Sequence, residues 1–195
     1  MTDPSIVDAL AAAASALESR GKRFALVGGL AVSVRGEVRF TRDVDLAVDV
    51  TNDAEAEGLV FKLREDDYRA LVSVEHETRE RLSTVRLMSP LGVKVDLLFA
   101  SCGIESEVIE RATTLEIPGA GTLPVACAEE LLAMKVLSMT DRRLQDRIDA
   151  RALLVHTADL DLERVRENLA LIGSRGFERN EDLDAKLQSL LDEAR

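Results

Sequence analysis

From Asp43 to Val50 the chain alternates apolar Val44, Leu46, Val48 and Val50 with Asp43, Asp45, Ala47 and Asp49. A period of two sends these sets to opposite faces of a β-strand, one facing a core and the other carrying carboxylates. Upstream, Phe24 to Val27 is a short apolar strand, followed by a Gly28-Gly29 turn and a helix of one to two turns ending near Gly36. Before these, Asp3 and Pro4 open a helix that runs to Leu17 and stops at Gly21. Downstream, Thr51-Asn52-Asp53 caps a helix to about Arg64, Ala70 to Val74 is a strand, and Glu75 to Arg81 is a solvated charged loop. Leu82 to Met88 and Val93 to Phe99 flank the turn sequence Ser89-Pro90-Leu91-Gly92 and predict an antiparallel hairpin.

In the second hairpin strand Val93, Val95, Leu97 and Phe99 share one face, and Lys94 and Asp96 the other. If this strand neighbours the Asp43/Asp45 strand, three acids converge. A salt bridge from Arg86 across the hairpin is the structural alternative for Asp96. After Gly103 a helix to about Ala112 leads to extended pieces at 115–117 and 123–125, separated by Pro118-Gly119-Ala120-Gly121. From Ala126 the pattern is helical: Cys127 to Met139, Arg142 to Val155, Leu162 to Ile172 and Leu183 to Glu193. The expected fold is α+β, with a small mixed sheet and flanking helices over residues 1–125 and a helical bundle over 126–195.

Composition narrows the function. With 46% hydrophobic and 31% charged residues the chain is globular. No apolar run approaches the roughly eighteen residues of a membrane span, so no membrane partner is expected. The N-terminal helix carries Asp3 and Asp8 without a basic start, which reads as a packing helix rather than a signal peptide. The two cysteines, Cys102 and Cys127, lie far apart and read as thiols in a reducing cytoplasm. A net charge of −11 and only 3% aromatic residues count against a broad nucleic-acid groove.

Two carboxylates on one strand face are about 7 Å apart along the chain. At roughly 4 Å and an effective dielectric of about 20 they repel by about 4 kcal/mol, which solvent screening or a divalent cation relieves. A Gly-Gly turn opening a helix lets backbone N–H groups approach a phosphate. A phosphate cradle beside metal-binding carboxylates is what phosphoryl transfer needs.

Val27-Gly28-Gly29, the spacer Leu30 to Arg42, Asp43-Val44-Asp45 and the later Val95-Asp96-Leu97 resemble the signature of the DNA polymerase β-like nucleotidyltransferases. The run Arg39-Phe40-Thr41-Arg42-Asp43-Val44-Asp45 is more narrowly similar to the AbiEii/AbiGii-type toxin nucleotidyltransferases, which carry Arg-x-Thr-x-Asp-x-Asp there. The resemblance implies metal-dependent transfer of a nucleotide from an NTP to an acceptor hydroxyl. Gly28, Gly29, Arg39, Thr41 and Arg42 would bind the nucleotide, and Asp43, Asp45 and Asp96 would bind Mg²⁺ (or Mn²⁺), with Asp96 activating the nucleophile. Lys135 would neutralise phosphate; its structural alternative is a stem lying on apolar surface. Asp146 and Asp149 match the acids of a Lys-Asp-x-x-Asp motif whose first position is Gln145 here, the alternative being an ordinary charged helix face on which Arg142, four residues before Asp146, pairs with it. The narrower likeness further implies a toxin that modifies tRNA ends and is neutralised by a cognate antitoxin. A small-molecule or protein acceptor, and a non-catalytic nucleotide-binding or interaction module, are the competing readings.

Overall fold

The computed structural model describes residues 4–36, 40–76, 81–140 and 142–193. The expected Asp3 cap, the nucleotide-binding expectation for Arg39 and most of the 75–81 loop lie outside them. Helix α1 (Pro4–Glu18) precedes strand β1 (Phe24–Val27), which runs directly into α2 (Gly28–Arg35) and then β2 (Asp43–Val48). Helix α3 (Asp53–Leu63) starts on the Asn52 side chain, which accepts from the Glu55 N–H. Strands β3 (Arg69–His76), β4 (Arg81–Met88) and β5 (Lys94–Leu98) follow, then α4 (Glu105–Arg111), and the hairpin β6 (Thr113–Ile117) and β7 (Gly121–Val125). Four helices close the chain: α5 (Ala128–Ser138), α6 (Leu144–His156), α7 (Leu162–Ser174) and α8 (Leu183–Glu193).

The strands form one seven-stranded mixed sheet in the order β3-β4-β5-β2-β1-β7-β6. The expected β4–β5 hairpin is antiparallel, with Gly92 at φ +77 in its turn. β5 then lies parallel to β2, and the register sets Asp45 directly opposite Asp96 and Asp43 opposite Lys94. Val44, Leu46 and Val48 are buried as the alternation requires. Ala47 is also fully buried although it shares a face with the two acids, so that face is open only at the beginning of β2.

One hydrophobic core runs from Ile6 to Leu190 and includes Leu26, Leu46, Leu97, Leu131, Leu153 and Ile172. The last helices therefore pack on the sheet-bearing part. Buried Glu130 ties α5 to α7: it accepts from Arg164 at 2.9 and 2.6 Å, from Asn168 at 3.1 Å and from Arg111 at 3.2 Å. Burial pushes this carboxyl up, but Arg164, Asn168 and Arg111 outweigh it and hold it below the usual range.

Candidate active site

The Gly28-Gly29 pair is set by the junction of β1 and α2. Gly28 sits at φ +64, a left-handed conformation in which side chains are strained. A Cβ here would overlap the Asp45 carboxylate. The Gly29 N–H, at the start of α2, donates to that same carboxylate. Glycine is therefore required twice at position 28, by backbone and by space. Gly28→Ala is expected to cost more than about 1 kcal/mol of stability, because its native φ is incompatible with a side chain. It should also displace Asp45 and weaken nucleotide binding. Denaturant unfolding and nucleotide titration check this, and wild-type values in both would contradict the close approach.

Asp45 is the electrostatic centre of the site. Its carboxyl is pushed up to about 6, chiefly by burial and then by the neighbouring Asp96, with Asp43 adding to the effect. Lys135 and the Gly29 N–H pull in the other direction and do not cancel it. Asp96 is buried and held by Arg86 of β4, whose Nε and Nη2 donate to its two oxygens at 2.8 and 2.6 Å. The salt bridge set aside as the alternative thus forms, and Asp96 also stands beside Asp45. A carboxylate has about four lone-pair positions, so a bidentate arginine leaves others available.

The remaining expected site residues are placed as follows. Thr41 is partly buried and its hydroxyl lies 3.5 Å from the Asp43 carbonyl. Arg42 is exposed, with its guanidinium 5.5 Å from the Phe40 ring. Lys135 is not a lone cation on an apolar helix. Its ammonium bridges Asp146 at 2.8 Å and Asp149 at 2.7 Å, both on α6. Asp146 is shared with Arg143 at 2.8 Å. The Arg142–Asp146 helix pair, the structural alternative for this helix, does not form, because α6 begins only at Leu144. Arg147 reaches Glu193 instead.

A cavity of about 200 Å³ opens beside Asp45 and Asp96, lined also by Thr84, Ser101, Arg143 and Arg179. Arg143 and Arg179 carried no signal in the sequence, since no motif or spacing joins them to the acids. A larger groove of about 660 Å³ between α3 and β3–β4 contains none of the acids. Among the described residues, Cys127, Glu129 and Glu130 bring potential ligand atoms within 4.8 Å of one another, but Glu130 is already engaged by Arg111, Arg164 and Asn168.

The family model described as the nucleotidyl transferase AbiEii toxin of a type IV TA system matches residues 9–194. The chain belongs to this AbiEii family. It is a nucleotidyltransferase. Among solved structures, an antigenic nucleotidyltransferase-like protein from Paracoccidioides brasiliensis superposes with a TM-score of 0.52 at 18% identity, covering 96% of this chain and 92% of that one. The structure of ANT(2″)-Ia in complex with adenylyl-2″-tobramycin gives 0.52 at 16% identity, covering 87% of this chain and 97% of that one. At such identities the likeness concerns the fold. No curated protein matches the sequence. The AbiEii match includes α7 and α8, for which the sequence motifs gave no assignment. No helix among the described residues is long and apolar enough to cross a membrane.

Proposed function

We propose that this AbiEii member transfers a nucleotide from an NTP to a hydroxyl at a tRNA end, as the toxin of a toxin-antitoxin pair whose partner is a cognate antitoxin. The observation that carries the transfer reading is Asp45, a carboxyl raised to about 6 that faces Asp96 and accepts from the Gly29 N–H. Negative charge concentrated by burial, and incompletely compensated by Lys135, fits a divalent cation. Asp43 and Asp45 would hold Mg²⁺ (or Mn²⁺), which when bound neutralises phosphate charge and polarises the phosphorus under attack.

The chain's own groups supply positioning and proton transfer. The Gly28-Gly29 backbone receives the triphosphate at the start of α2, with Thr41 and Arg42 at the mouth of β2. Asp96, fixed by Arg86, takes the proton of the acceptor hydroxyl through an oxygen lone pair that the guanidinium leaves open. The acceptor oxygen bonds to the α-phosphorus as the bond to pyrophosphate breaks. Lys135 acts through the field it exerts on Asp45, and Asp146 and Asp149 hold its ammonium in place.

Triphosphate binding is expected to depend on the cation, because Asp43, Asp45 and Asp96 repel an unmasked triphosphate. Calorimetry should show binding with Mg²⁺ and little heat in EDTA. Tight binding in EDTA would favour a non-catalytic nucleotide-binding module.

A further inference from the structure

Part of the chain beyond residue 156 reaches the cavity beside the acids. The connection between α7 and α8 clasps the loop after β5. Arg175 donates to the Gly103 carbonyl at 2.5 Å and pairs with Glu107 at 2.7 Å. Buried Phe177 lies so close to Gly103 that a Cβ there would overlap its ring. From its other side the same loop is held by buried Glu105, which accepts from the backbone N–H groups of Ser101, Cys102 and Gly103. A rigid wall for the cavity results.

Arg179 emerges from this clasp. It and Asn180 are left-handed, at φ 56 and φ 60. Asparagine tolerates that conformation; arginine rarely adopts it, and such residues concentrate at functional sites. The Arg179 guanidinium donates to the Ser101 carbonyl at 3.3 Å and lines the cavity with Asp45 and Asp96. Arg86, Lys135 and Arg143 are each paired with a carboxylate, whereas among the described residues none pairs with Arg179. Most of its five N–H donors therefore remain available.

The cavity, at about 200 Å³, is smaller than the roughly 300–1,000 Å³ of a whole-ligand pocket, so it takes one end of a substrate. Its lining includes Asp96, the acid beside Asp45, and the hydroxyl-bearing residues Thr84, Ser101 and Ser138, of which Ser101 donates to Glu105, but not Gly28, Gly29 or Asp43. The donor triphosphate thus belongs to one side of Asp45 and this cavity to the other. We propose that the cavity is the acceptor subsite, that it takes a sugar hydroxyl with a phosphate on the same sugar, and that Arg179 binds that phosphate. The assignment rests on the nucleotidyl-transfer reading. A guanidinium fork matches phosphate oxygens, hydroxyls match a sugar, and a polycationic acceptor would meet Arg143 and Arg179. The sugar O–H loses its proton to Asp96, its oxygen bonds to the α-phosphorus, and pyrophosphate leaves.

The test saturates the donor site with Mg²⁺ and a triphosphate analogue carrying a methylene between the α- and β-phosphorus atoms. Ribose 5-phosphate and ribose are then titrated into the wild type, Arg179→Gln and Arg179→Lys. The wild type is expected to bind ribose 5-phosphate about tenfold more tightly than ribose, the scale of one charge-assisted contact. Arg179→Gln should bind both alike, and Arg179→Lys should recover part of the preference. Equal binding of the two sugars by the wild type, or a preference that survives in Arg179→Gln, would overturn the subsite. Failure of the wild type to bind the analogue would overturn the transfer reading itself, and the subsite with it.

Discussion

Asp45→Asn is expected to abolish nucleotide transfer while making the cation-free protein more stable at neutral pH. The stability part follows from the raised carboxyl. Asp45 gives up its proton near 3.8 when unfolded and near 6 when folded, so between these values the folded state binds more protons. Stability from this group therefore falls as pH rises from about 4 to 6, and the full cost is present above that. The gap corresponds to about 3 kcal/mol. Asparagine keeps the shape and an oxygen for the Gly29 N–H without the charge. The stability difference between variant and wild type in EDTA should thus move by up to about 3 kcal/mol in the variant's favour from pH 4 to pH 7. Comparing the two proteins removes the opposite contributions of Glu107 and Glu130, whose carboxyls are held low. Mg²⁺ should raise the melting temperature of the wild type and not of the variant. Transfer should fall by at least about 100-fold, since even groups that only orient a metal's ligands cost about 10–100-fold when lost. A pH-independent difference in stability would contradict the electrostatics of Asp45, and retained transfer would remove it from the site.

The second large effect is expected at Lys135. Its ammonium joins two carboxylates of which Asp149 is wholly buried and Asp146 nearly so. Lys135→Met keeps the volume but leaves both acids short of a cation, and removing one partner of a buried pair costs about 3–5 kcal/mol. Arg143 on Asp146 and Gln145 on Asp149 soften the loss without replacing the shared charge. The structural alternative offered by the sequence, a stem lying on apolar surface, would have left stability unchanged by this substitution. Adding Asp149→Asn should return part of the stability. An unchanged melting temperature in Lys135→Met would mean that the bridge to α6 contributes nothing.

The alternation from Asp43 to Val50 was legible because a strand's period is two and one face of β2 is buried. The glycine pair was legible because only glycine accepts the backbone and the close approach of Asp45 at position 28. What sequence could not convey was which cations answer which acids. Arg86 and Asp96 are ten residues apart in adjacent strands, so their pairing was a stated alternative that needed the hairpin register to decide. Lys135 looked unpaired because its partners lie on the next helix, at a crossing no local pattern encodes. Arg142 looked like the partner of Asp146 because a continuous helix was assumed, whereas α6 begins at Leu144 and Arg143 takes that place. Arg179 was illegible because its position depends on Phe177 and Arg175 docking on Gly103, a contact spanning more than seventy residues.

The most direct test of nucleotidyl transfer is to incubate the protein with each labelled NTP, Mg²⁺ and total cell extract, alongside Asp45→Asn. The wild type is predicted to place label from at least one NTP in the RNA fraction, and the variant to place none. Label in neither protein fraction nor RNA nor small molecules with any NTP, or equal labelling by wild type and Asp45→Asn, would contradict the account.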